Sequence, residues 1–122
     1  MLLAALAMTS PAGAAVTEES FAVRSAADLA ALCTASPTEP YGTAALNFCQ
    51  GFSTGAFRVL YDIGLAKGHA LFCLPVPNPT RSEVATAFSA WVGSNPARMA
   101  SPAEDALLRF LTSQYTCEGK TP

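Results

Sequence analysis

Four cysteines, Cys33, Cys49, Cys73 and Cys117, are spread along the chain with no CxxC pair among them, behind an apolar, alanine-rich N-terminus. In an exported chain an even set of widely spaced cysteines reads as a disulfide framework, whereas a cytosolic chain uses cysteines for metal or redox chemistry. Zinc sites draw their ligands from tight knuckles, so these long gaps speak against a metal centre. Three pairings are formally open. A helical hairpin would set the start of a third helix beside the end of a fourth, which favours Cys73 with Cys117 and leaves Cys33 to meet Cys49 across a loop. Spacing alone does not decide the connectivity.

The N-terminus runs from Met1 to Met8 without a charge and passes through Thr9, Ser10 and Pro11 into the small-residue run Ala12–Ala15; the first charged side chain is Glu18. It is too short to span a bilayer as a helix. Its pattern is that of a secretory signal over residues 1–15, cleaved after Ala15 or Ala14, with only the terminal amine as the positive charge such signals carry. Removal leaves residues 16–122, the size of one domain, small enough for two disulfides to matter to its stability. Net charge is −2 with no block of like charges. There is no basic footprint for nucleic acid, and no polybasic patch or second apolar run for stable membrane insertion after cleavage. Proteins are the expected partners.

Past the leader the chain reads as helices separated by proline-rich loops. Ser25-Ala-Ala-Asp28 offers a capping oxygen and a carboxylate to the start of a short helix carrying Leu29, Leu32 and Cys33. Pro37 and Pro40 then enforce an extended loop. From about Thr43 to Ala66, Leu46, Cys49, Phe52, Ala56, Val59, Leu60 and Ile63 recur at helical spacing, with Asn47, Gln50, Thr54, Arg58 and Asp62 as a thin polar stripe. This pattern predicts a central, mostly buried helix. Gly51 and Gly55 each cost it about 1 kcal/mol relative to alanine, so the close approach of another helix is the expected compensation, with Phe52 packing beside them.

Two further helix starts are marked by capping boxes, Thr80-Arg-Ser-Glu83 and Ser101-Pro-Ala-Glu104, the second with Pro102 at the first helical position. The third helix carries Val84, Ala87, Phe88, Trp91 and Val92 and ends at Gly93, Asn95 and Pro96; the fourth carries Leu107, Leu108, Leu111 and Tyr115. Phe110 falls off that stripe, which predicts an exposed or interfacial ring. No segment shows sustained strand alternation. The expected fold is an all-α domain of four helices, with allowance for short extra turns, stapled by two disulfides.

Chemistry of its own is not expected. His69, the one histidine, follows Lys67 and Gly68 at a helix end, where a solvated or capping role accounts for it, and no serine or cysteine stands in a nucleophile motif that would use it. Glu83, Glu104 and Asp105 are accounted for by helix starts. There is no phosphate-cradling glycine loop and no HExxH. The reading is a non-enzyme without catalytic residues, metal or cofactor.

Asp28-Leu-Ala-Ala-Leu-Cys33, Cys49-Gln-Gly-Phe-Ser-Thr-Gly55, Phe72-Cys73-Leu-Pro75, a helix with Trp91 leading to Asn95-Pro96, and the last Cys117 together resemble the Rap/Tai family of type VI secretion amidase immunity proteins. The likeness spans about residues 25 to 118 and rests on scaffold positions: cysteines, glycines and apolar anchors. It implies a small helical periplasmic protein, often a homodimer, that binds and occludes a peptidoglycan-cleaving amidase effector. Phe52 stands where the family often has tyrosine, Val76-Pro-Asn-Pro79 lengthens the loop after Phe72-Cys-Leu-Pro, and Thr116 precedes the last cysteine where proline is common.

Three classes follow: an immunity-type inhibitor, a periplasmic helical chaperone or stress protein of the Hde type, and an uncharacterised envelope enzyme. An acid-activated chaperone needs many titratable groups, and this chain is only 13% charged. That composition favours an inhibitor or another constitutive protein-binding module. Prolines lower the ordering cost of docking, which makes Thr34 to Tyr41, with Pro37, Glu39, Pro40 and Tyr41, and Val76 to Thr80, with Val76, Pro77, Asn78 and Pro79, the candidate contact loops. The leader generates a first test. Intact mass of the protein from an envelope fraction is expected to show a chain beginning at Val16 or Ala15; recovery of the uncleaved chain in the cytosol would remove the export reading.

Overall fold

The computed structural model describes residues 15–118; the expected signal segment, apart from Ala15, lies outside them. A 3-10 turn, Glu18–Ala22, is followed by five helices: α1 (Ala26–Cys33), α2 (Gly42–Lys67), α3 (Arg81–Gly93), α4 (Pro96–Ala100) and α5 (Ala103–Gln114). There is no strand among the described residues. The all-helical architecture is as the periodicity indicates, with α4 and the 3-10 turn as the short additional elements.

A helix of eight residues, α1, is the centre. Ser25 Oγ accepts from the Asp28 N–H at 3.2 Å, while the Asp28 carboxylate accepts from the Arg24 and Ser25 N–H groups at 3.1 and 3.2 Å. This reciprocal cap pairs the Asp28 amide in the first turn of α1 and the two amides that precede the helix. A further first-turn amide, Ala26 N–H, donates to the Ser101 carbonyl at 2.8 Å and ties α1 to the end of α4. Ala26, Leu29 and Leu32 are wholly buried. α1 packs against the 3-10 turn and every other helix.

α2 is therefore not the central buried helix that its periodicity suggests. Its Cys49 and Ala45 are buried and Phe52, Ala56 and Leu60 lean on the core, but Val59 is 58% and Leu65 65% exposed, and Ile63 also faces solvent. The reason is length. Its 26 residues extend about 39 Å at 1.5 Å per residue, whereas its neighbours span at most half that number and cover only one side. Gly51 and Gly55 depart from expectation for the same reason, since a Cβ built on either meets nothing within 4 Å and no helix of the described chain crosses there.

The glycines that packing does require are Gly42 and Gly64. A Cβ on Gly42 would overlap the Ser36 carbonyl, and one on Gly64 would lie 2.9 Å from the His69 carbonyl and 3.2 Å from the Leu71 amide. At that end Gly68 adopts φ 79°, turning the chain back across α2 while His69 N–H caps the Gly64 carbonyl at 3.1 Å. Exposed His69 thus serves the helix end through its backbone.

Thr80 and Glu83 form the capping box that starts α3, with Glu83 N–H on Thr80 Oγ1 at 3.1 Å and Thr80 N–H on the Glu83 carboxylate at 2.6 Å. Ser101 does not form the second. Its hydroxyl turns back to donate to the Ala97 carbonyl at 2.9 Å, closing α4, so α5 begins after Pro102 without a side-chain cap. The buried stripe of α5 runs through Ala103, Ala106, Leu107, Phe110 and Leu111. This rotates the inward face from the one anticipated, and Phe110, expected outside, is 1% exposed at the middle of the core. Its ring meets Phe88, Trp91 and Tyr115 edge-on at 5.5, 5.8 and 5.7 Å, the arrangement favoured by the ring quadrupoles.

The glycine environments generate a stability test. Gly51→Ala and Gly55→Ala are expected to raise unfolding free energy by up to about 1 kcal/mol each, and Gly64→Ala to lower it because backbone must move. Urea melts of the four proteins measure the difference.

Candidate functional site

The two proline-rich loops named as contact candidates are both fastened at their ends, by different means. In the first, Glu39 N–H donates to the Ser36 carbonyl at 3.1 Å and Gly42 N–H to the Glu39 carbonyl at 2.9 Å, so the chain turns tightly into α2. Tyr41 donates its hydroxyl to Glu18 at 3.0 Å and sets its ring edge-on to Phe21 at 6.2 Å. The hydrogen-bonded Glu18 carboxylate raises the Tyr41 pKa above its ordinary value, because ionising the phenol would lose the bond and place two anions side by side. Pro37 and Pro40 are exposed and Glu39 half-buried. Loop 34–41 is thereby clamped to the 3-10 turn.

The second loop begins where buried Phe72 packs edge-on to Phe57 at 4.9 Å and Cys73 N–H donates to the Tyr115 carbonyl at 2.7 Å. It ends in the Thr80 capping box. Between these anchors Pro75, Val76, Pro77 and Asn78 are exposed, Pro79 turns partly inward, and the Val76–Pro77 peptide is cis. Val76 is 95% exposed. An aliphatic side chain held almost wholly in water on a segment with three prolines contributes nothing to the core; its apolar area is available only to something outside this chain. No hydrogen bond joins the two loops among the described residues.

Both loops are bounded by disulfides. Cys33–Cys49 ties the end of α1 to α2 across the first loop, and Cys73–Cys117 ties the root of the second to the segment after α5, with Cα separations of 5.1 and 4.9 Å. This is the pairing favoured on geometry. Phe52 is half-buried against the core and stacks on Phe48 at 6.3 Å, while Trp91 is half-buried beneath the Arg98 guanidinium, 4.0 Å from its ring centroid. Arg98 also donates to the Trp91 carbonyl at 2.9 Å, a cation and hydrogen-bond pairing that no local sequence pattern marks. Among the described residues no three His, Cys, Asp or Glu side chains gather into a metal-sized cluster.

The arrangement is that of a stapled helical scaffold presenting preformed loops, the class of a protein-binding module. The family model for Rap1a immunity proteins matches residues 25–117, from the Ser25 cap through all five helices to the last disulfide cysteine. The chain belongs to this family, and its class is that of an immunity protein against a secreted effector. No curated protein and no solved structure matches it. No helix among the described residues is long and apolar enough to cross a membrane.

The staples give a measurable consequence. Replacing Cys73 and Cys117 by serine is expected to cost about 4 kcal/mol and replacing Cys33 and Cys49 about 3 kcal/mol, because the first bridge closes the longer loop. Denaturant unfolding of the two double variants tests the order, and peptide mapping without reduction tests the pairing.

Proposed function

We propose that this protein is a periplasmic immunity protein that binds a peptidoglycan amidase effector of type VI secretion and occludes its active site with the loop Val76–Thr80. The carrying observation is Val76, 95% exposed at the tip of a segment anchored by Cys73–Cys117 on one side and the Thr80 capping box on the other. A cleft that processes an extended substrate accepts a narrow, pre-ordered segment with little loss of entropy. An aliphatic tip supplies the buried anchor around which interface energy concentrates. Family membership supports an effector as the target, and the framework of two disulfides supports an oxidising compartment reached through removal of residues 1–15.

A homodimer belongs to the same reading. Phe48, Gly51, Gly55 and Val59 follow one another at helical spacing along the outer face of α2. All four are exposed, and the close crossing that two glycines permit is left available to a second copy.

The test pairs this protein with a peptidoglycan amidase effector of type VI secretion, sought first among the products of neighbouring genes. Co-purification and protection of peptidoglycan in a digestion assay are expected. Val76→Asp should raise the concentration needed for half-inhibition about tenfold or more with an unchanged melting temperature, since the side chain supports nothing in the fold. Digestion proceeding equally with and without the protein would end the immunity reading, whereas full inhibition by the Val76 variant would move the contact to the loop 34–41.

A further inference from the structure

Between α2 and α3 the molecule holds a groove with a volume of about 500 Å³, inside the range of roughly 300–1,000 Å³ found for small-molecule clefts. It exists because α2 leans on α1 and α5 and makes little direct contact with α3. Leu74 and Pro79 at the two ends of the exposed loop form part of its wall. Its apolar floor is made by the half-buried side chains of Phe57, Leu74, Val84 and Ala85, beneath which lie the core residues Phe88, Leu107 and Leu111. Water over such a surface is at a disadvantage against hydrocarbon.

The walls add a charge of defined sign. Arg58, from the polar stripe of α2, and Arg81, the first residue of α3, both line the groove and are both exposed. Among the described residues neither has a carboxylate within ion-pairing distance; the salt bridge there joins Arg109 to Asp105 on α5 at 3.1 Å. Arg81 stands at the positive end of a 13-residue helix, which reinforces its field. Asp62 is the one carboxylate in the lining, so the balance remains positive, and neighbouring Glu83 is occupied by the Thr80 amide.

We infer that this groove binds an amphiphile carrying a hydrocarbon chain and one carboxylate, of the fatty-acid class. The chain lies on the floor of Phe57, Val84 and Ala85, and the carboxylate engages Arg58 and Arg81 at the rim. An inorganic anion would leave the apolar floor wet, and a cationic or neutral chain would forgo the two guanidinium groups, whose planar donor forks suit a carboxylate. The inference is independent of the effector and of the Val76 tip.

Fluorescence titration of the oxidised protein with dansylaminoundecanoic acid tests it, followed by displacement with decanoate and with decyltrimethylammonium. Saturable enhancement is expected, reversed by decanoate at concentrations at least about tenfold lower than by the cation. Arg58→Gln and Arg81→Gln should each weaken binding about fivefold, with melting temperatures unchanged. Thr54→Trp, which fills the groove from the α2 side, should abolish it; the two arginine variants carry the test if that substitution disturbs folding. No saturable signal, equal displacement by anion and cation, or binding indifferent to both arginines would overturn the inference. Any of these would leave the groove to a protein segment.

Discussion

The burial of α1 is the constraint on which the other elements depend. It is a helix of eight residues, too short to persist alone in water, yet Ala26, Leu29 and Leu32 lose all contact with solvent. Burying a leucine side chain contributes about 1.5–3 kcal/mol, and Leu29 and Leu32 deliver that to two different apolar clusters, one built on α3 and α5 and the other on Val16, Ala45 and Cys49. The helix that joins the clusters is held at its start by Ser25 and Asp28, through Ala26 by the Ser101 carbonyl, and at its end by Cys33. Its stability and that of its surroundings are one quantity.

Legibility in the sequence followed the range of the interaction. The caps at Ser25 and Thr80 act over three residues and were readable as such. The box at Ser101 has the same local grammar but loses its hydroxyl to the Ala97 carbonyl, because the residue that would cap the start of α5 already caps the end of α4. For α2 the helical span was evident and its burial was not. A periodic stripe says which face is apolar, but the supply of neighbours depends on how much longer that helix is than the rest of the domain. The misplacement of Phe110 has a related origin: two apolar stripes, through Leu108 or through Phe110, were open on α5, and packing against Phe88 and Trp91 selected the second.

The candidate site divides in the same way. Prolines marked both loops, and the cysteines marked where they are tied. The exposure of Val76 and the clamp from Tyr41 to Glu18 depend on distant chain and left no local sign. The groove was illegible because it consists of an absence of contact between α2 and α3. Arg58 was visible only as a member of a polar stripe, and Arg81 only as the residue after a cap.

The order of the bridges along the chain carries a consequence for how the protein matures. Both join consecutive cysteines, first to second and third to fourth, and neither crosses or encloses the other. For a chain delivered N-terminus first to an oxidising compartment, an oxidase that links each newly arrived thiol to the preceding free one produces the native set directly. Isomerisation of mispaired sulfurs, a slow process of seconds to hours, then lies off the route. On that route Cys73 would wait for Cys117, and the root of the exposed loop would be locked last, after the helices that frame it had been delivered.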